Sequence, residues 1–196
     1  MKKFIKHNSL VAIMLFIASF TAQAGLITLS PTSAVTDVNT GDVISFEVLY
    51  DFDTEGALGG GFDINFDALS LAVSSIVTNV VGDPLFGRAP DTLAGLLSGW
   101  AAGDFTGIFG TGSFGTVTME VLSTFGATTD VTVGDNANLI AGPFVSVSTF
   151  APMNVDFTGF TVTRATATNP VSAPGAILLM VLGLAGLGLR RRKIVR

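Results

Sequence analysis

Oxygen-bearing side chains recur along Asp51-Phe52-Asp53-Thr54-Glu55-Gly56, with glycine in the sixth place. Alternate oxygen ligands around a sharp turn suit a hard cation such as calcium. A helix-flanked calcium loop also needs a bidentate Glu in the twelfth place, and that residue here is Phe62. The stretch is therefore expected to be a solvated acidic turn between strands. No cofactor is expected, and calcium is the one ion these residues could accept. Asp63, Asn65 and Asp67 lie two apart and are expected on a solvent-facing strand surface. Asp135-Asn136-Ala137-Asn138 has turn composition and could add oxygen ligands. A second chemistry is stacking. Trp100, Phe105 and Phe109 lie in one Gly-rich stretch with Phe86, beside Asp104 and Arg88. Exposed rings can cover the apolar C–H faces of sugars, so these three are the candidate ligand contacts. Core packing of the same rings is the competing reading, because large aromatics are mostly well buried.

Residues 25–170 contain no histidine, lysine or cysteine; the one histidine is His7. That removes Ser-His-Asp and Cys-His catalysis, Schiff-base chemistry and the usual zinc sites. Only a carboxylate pair could do acid–base work. The same stretch holds all fifteen acidic residues but only Arg88 and Arg164, a net charge of −13 against −5 for the whole chain. Such a surface repels nucleic acid, so none is expected as a partner. It favours solubility.

The basic residues are gathered at the two ends. Lys2, Lys3 and Lys6 precede an apolar run, Leu10 to Phe20, and Ala22-Gln23-Ala24 has the small residues of a signal-peptidase site. Residues 1–24 are expected to be a signal peptide with a helical apolar core, cleaved after Ala24. At the other end, 165–174 reads as a linker. Gly175 to Leu189 is an apolar run of fifteen residues that stops at Arg190-Arg191-Arg192-Lys193. As a helix it would be about 22 Å long, against a hydrocarbon core of about 30 Å. It is short for a permanent span, and the arginines would stay on the cytoplasmic side. A plain tail anchor is one reading of residues 175–196.

Val171-Ser172-Ala173-Pro174, then a Gly/Leu-rich apolar run, then Arg190, Arg191, Arg192 and Lys193, resembles the PEP-CTERM sorting tail of Gram-negative bacteria. The family's usual box is Val-Pro-Glu-Pro; Val171 and Pro174 match it, while Ser172 and Ala173 replace its middle residues. The resemblance implies export across the inner membrane and recognition of the tail by an exosortase, a membrane enzyme. The protein would then be held transiently by its C-terminal helix, or released to the cell surface or matrix after processing.

The elements between the ends are strands. Ile44, Phe46, Val48 and Tyr50 alternate with Val43, Ser45, Glu47 and Leu49, and Phe62, Ile64 and Phe66 alternate with Asp63, Asn65 and Asp67. Val117, Met119 and Val121 alternate with Thr116, Thr118 and Glu120. Shorter patterns occur at Leu26 to Leu29, Leu69 to Val77, Val131 and Val133, Val145 and Val147, Phe157, and Phe160 to Val162. Clean alternation means antiparallel sheets with one buried face each. Eight or nine such strands predict an all-β, two-sheet antiparallel sandwich over residues 25–164. Asn79 to Gly112 is rich in glycine and is expected to be a long loop with one helical turn at Leu93 to Leu97.

Thr40-Gly41-Asp42 opening a strand, Gly59-Gly60-Gly61-Phe62-Asp63-Ile64-Asn65-Phe66-Asp67 ending in a turn, and the late strand Gly112 to Val121 resemble the order of a cohesin-type domain over residues 28–135. The resemblance implies a jelly-roll sandwich related to carbohydrate-binding modules. It does not locate a partner-binding face. The function expected from the whole chain is non-enzymatic adhesion or scaffolding at the cell surface or in a biofilm matrix, with another surface protein as partner. The alternative is a carbohydrate-binding module for exopolysaccharide. If the tail is a processing signal, intact-mass measurement of the surface form will show loss of everything after about residue 174. Arg190 to Arg196 still attached would leave the plain anchor.

Overall fold

The computed structural model describes residues 25–136 and 141–166. The cleavage residues Ala22 and Ala24, the tail residues Val171, Pro174, Arg190, Arg191, Arg192 and Lys193, and the helices expected at both ends lie outside the described residues.

Eleven strands form two sheets packed face to face. The first is ordered β10-β1-β2-β7-β4, from β10 (Val155–Thr158), β1 (Gly25–Pro31), β2 (Val43–Asp51), β7 (Thr111–Val121) and β4 (Leu71–Thr78). The second is ordered β11-β8-β3-β6-β5, from β11 (Phe160–Thr163), β8 (Thr128–Asp135), β3 (Ala57–Asn65), β6 (Leu96–Ile108) and β5 (Asp91–Leu93), with β9 (Val145–Ser146) also on β3. All pairings between these strands are antiparallel except β1 with β10. This is the all-β two-sheet sandwich that the alternation predicts.

The alternating residues supply the core. Ile44, Phe46 and Val48 from β2, Phe62 and Ile64 from β3, and Val117 and Met119 from β7 are fully buried, and Phe66 is nearly so. Rings interlock at the centre: Phe114 meets Phe62 edge to face at 4.9 Å and Tyr50 at 5.1 Å. Gly115 (φ 144°) lies where β4 crosses close to β7, and a Cβ there would run into the Val77 carbonyl. A side chain at 115 would push the edge strand away.

Three expectations are corrected. Asn79 to Gly112 is not one long loop, since it contains β5 and the longest strand, β6. Its glycines do not prevent pairing, because β3 supplies a full ladder from the far side of the sequence. Leu93 to Leu97 is the β5–β6 hairpin and not a helical turn; Gly95 takes the positive φ (78°) that its tight loop needs. Asp63 does not face solvent, whereas Asn65 and Asp67 are exposed. It is 1% exposed, and its Oδ1 accepts the Gly99 N–H at 2.7 Å. Gly99 has φ 75° and sits where the β3–β6 register slips between Phe62 and Ile64. The bulge turns an amide out of the ladder, and the carboxylate is the acceptor that keeps it satisfied.

The strand count also exceeds the eight or nine expected, because β5 and β9 are very short and 155–163 divides at Gly159. Phe157 and Phe160 therefore serve opposite sheets.

Ile64→Asp tests the assigned face. Burying an unpaired carboxyl group at this position should cost at least the roughly 2–7 kcal/mol of a neutral polar group without a hydrogen bond, enough to unfold a marginal domain. A melting temperature equal to that of the parent would refute the assignment.

Candidate functional site

The outer face of the second sheet carries a trough of about 660 Å³. Its floor is flat for a steric reason. Gly59, Gly60 and Gly61 on β3 pair with Gly103, Ala102 and Ala101 on β6, so three consecutive cross-strand pairs carry at most a methyl group at each position. The 141–147 segment closes one side: a Cβ on Gly60 would meet Phe144, and one on Gly61 would meet Ala141. The other side is the segment after β4. Asp83 N–H donates to the Gly103 carbonyl at 2.9 Å, and Arg88 and Ala101 exchange backbone hydrogen bonds. Between them Asp83-Pro84-Leu85-Phe86 makes a turn, held by Leu85 N–H to Asp83 Oδ1 at 2.9 Å and Phe86 N–H to the Asp83 carbonyl at 3.0 Å.

This turn and the end of β6 bring apolar side chains into solvent. Leu85 is 85% exposed and Phe105 83%. Phe86 meets Phe105 edge to face, with ring centroids 4.8 Å apart. Arg88 lines the same trough and is ion-paired with Asp91 at 2.5 Å. Two apolar rings and a leucine on a hydrogen-bonded frame form a contact surface with little ordering cost on binding.

The three aromatics singled out from the sequence do not act together. Trp100 leaves the set of candidate contacts: it is 2% exposed, stacked on Phe62 at 5.7 Å and edge-on to Phe114. The Gly99 bulge shifts the alternation of β6, so the tryptophan is turned into the sandwich. Phe109 is half exposed, but its ring fills the space left by Gly56 and Gly107, away from the trough. Phe105 alone stands on the trough. Leu85 was missed by sequence reasoning; its signal was the Asp-Pro turn that presents it.

The acidic residues have mostly local work. Asp51, Asp67, Asp83 and Asp104 each accept the backbone N–H two residues on, from Asp53, Leu69, Leu85 and Thr106. The Ser70 hydroxyl, with the Leu69 N–H, holds the Asp67 carboxyl below its usual range. The Thr106 hydroxyl, with the Thr106 N–H, does the same for Asp104. In the Asp51–Gly56 turn, Asp53 adopts φ 47° and Gly56 φ 67°, and Phe52 is buried between them. Among the described residues, no three acids converge as a metal-holding group. A second recess, about 530 Å³, lies on the outer face of the first sheet between Leu26, Leu49, Glu47 and Thr111.

No protein-family model matches the chain, and no curated protein matches it. Solved structures do. A cohesin from Clostridium acetobutylicum aligns with a TM-score of 0.53 at 15% identity, over 76% of this chain and 96% of that one. A non-cellulosomal cohesin from the archaeon Archaeoglobus fulgidus aligns at 0.53 and 14%, over 74% and 93%. A type I cohesin–dockerin complex from Clostridium thermocellum aligns at 0.52 and 15%, over 70% and 97%. The sandwich has the cohesin fold.

Because the Asp51 carboxylate is taken by the Asp53 N–H and no three acids converge among the described residues, chelator should leave the melting temperature unchanged. A site saturated 100-fold over its dissociation constant would contribute about 2.7 kcal/mol. A clear drop on chelation would make Asp51, Asp53 and Glu55 ligands after all.

Proposed function

We propose that this chain is an exported, non-enzymatic scaffolding or adhesion protein whose sandwich binds another surface protein through the Leu85–Phe86–Phe105 trough. The observation that carries this reading is the exposed apolar cluster itself. Large exposed apolar groups on a rigid frame mark contact surfaces, and Leu85, Phe86 and Phe105 are gathered on one such frame along the trough. Structures with the same fold include cohesin–dockerin complexes, which supports a protein as the partner. The chemistry available supports a non-catalytic role. Residues 25–170 offer no nucleophile–base pair beyond carboxylates, and the buried one, Asp63, is spent on the Gly99 bulge.

The termini extend the proposal. The PEP-CTERM-like tail would bring the chain to an exosortase-type enzyme after export. The domain would then work on the cell surface or in a biofilm or exopolysaccharide matrix. A carbohydrate-binding role now rests on Phe105 and not on Trp100. Two rings set edge to face beside Arg88 favour it less than the protein reading, which uses the leucine as well.

A protein-partner screen beside a pull-down with matrix polysaccharide separates the two. Phe105→Ala should weaken capture of the protein partner by roughly 1–3 kcal/mol, the size of a lost apolar contact, with no change in melting temperature. Capture that survives both Phe105→Ala and Leu85→Ala would move the site elsewhere, and polysaccharide retention lost on Phe105→Ala would favour the carbohydrate role. Release of reducing sugar that vanishes when one carboxylate is mutated would show an enzyme.

A further inference from the structure

Sheet edges differ sharply around this sandwich. β10 and β11 are four residues each, with Asp156 on β10 and Arg164 just after β11. β5 is three residues, starts at Asp91 and is tied to Arg88. The β6 edge beyond it is covered by the 82–88 segment. β4 is different. It is eight residues long, and among the described strands it pairs with β7 alone. Short strands and charges are the usual protection against edge-to-edge pairing. β4 has neither: no charged residue occurs between Asp67 and Asp83. Its one safeguard is the bulge between Val73 and Ser75, which leaves Ser75–Thr78 straight.

That stretch is open to an incoming strand. Asn79 N–H donates to the Phe114 carbonyl on β7. By the alternation of an antiparallel ladder, Ile76 and Thr78 turn their N–H and C=O groups away from β7, to the free side. Val77, between them, is 62% exposed, and Val80 just beyond is 71% exposed.

We propose that the occupant is a second copy of the same strand. Two chains would join antiparallel about a two-fold axis through Val77, making one continuous sheet across the pair. The register follows from the geometry. Ile76 of each copy faces Thr78 of the other and forms about four hydrogen bonds in all, while Val77 faces Val77 in a non-hydrogen-bonded pair. Charge selects the occupant. Copies whose residues 25–170 carry fifteen acids against two arginines repel each other over most of that part of their surface. This charge-free stretch lets them approach without setting like charges opposite one another. So small a contact is below the size of a stable dimer interface, so the pairing would be reversible and promoted by crowding at a surface. It is separate from the trough and does not depend on the function proposed for it.

The chain has no cysteine, so single cysteines report contacts without ambiguity. In a non-hydrogen-bonded antiparallel pair the Cα atoms are about 4.5 Å apart, within disulfide reach. The full chain carrying Val77→Cys, in detergent, should form a disulfide dimer at least about tenfold faster than the same chain carrying Leu85→Cys, whose site is more exposed but lies on the trough. Adding Thr78→Lys to Val77→Cys sets a charge on the free edge; it should abolish the excess while leaving circular dichroism and melting temperature at the parent values. Equal rates at positions 77 and 85 would overturn the proposal. So would an excess that survives Thr78→Lys, since association would then come from another part of the chain, such as its apolar C-terminal segment.

Discussion

β3 is crowded along its edge by the 141–147 segment, and the rest of the structure adjusts to that. Its inward residues, Phe62 and Ile64, must fill the sandwich, while at Gly60 and Gly61 it must admit that segment at close contact. No side chain larger than hydrogen fits at Gly60 or Gly61 without moving that segment. The facing stretch of β6 has the same small-residue character: the 82–88 segment pairs along its edge, and a Cβ on Gly103 would press on Phe86. One packing requirement therefore produces the glycine content, the flat floor of the trough and the rigid turn that lifts Leu85 and Phe86 into solvent. The contact surface exists because the scaffold beneath it cannot carry side chains.

The same crowding explains the one buried carboxylate. Closing β3 against β6 requires a bulge, and the bulge exposes the Gly99 amide inside a covered sheet. An aspartate one residue past Phe62 accepts that hydrogen bond at 2.7 Å. A buried amide left without an acceptor would cost about 1–3 kcal/mol, more than the typical net gain of one hydrogen bond. Asp63 is thus a structural group, and its chemistry is used up within the fold. The remaining aspartates follow a related logic at the surface. Those at 51, 67, 83 and 104 bend the chain by accepting an N–H two residues on, which is why so acidic a protein gathers no metal-holding cluster among its described residues.

Fold and binding role separate here. The cohesin architecture is reached at about 15% identity, so the likeness is one of fold. A sandwich of this kind imposes inward apolar residues and leaves the outward ones free. The trough and the uncharged β4 edge are features of that free surface, and they lie on different sheets.

Local rules were enough where one residue type had one job. Strict alternation in Val43–Tyr50, Phe62–Asp67 and Thr116–Val121 placed eight residues inward, because a period of two puts every second side chain on one face. Charge, the missing histidine and cysteine, and the two unusual ends were likewise legible from composition. What tertiary structure decided was every position whose role depends on a distant strand. Gly-rich β6 becomes a strand only because β3 pairs with it. Trp100 turns inward only because a bulge at Gly99 shifts its alternation. Asp63 is buried only because that bulge lies opposite it, and Phe86 meets Phe105 only because the chain crosses from one sheet to the other after β4. A sequence states what each residue can do alone; ladder register and bulges, set by strands far apart in the chain, decide which face it serves.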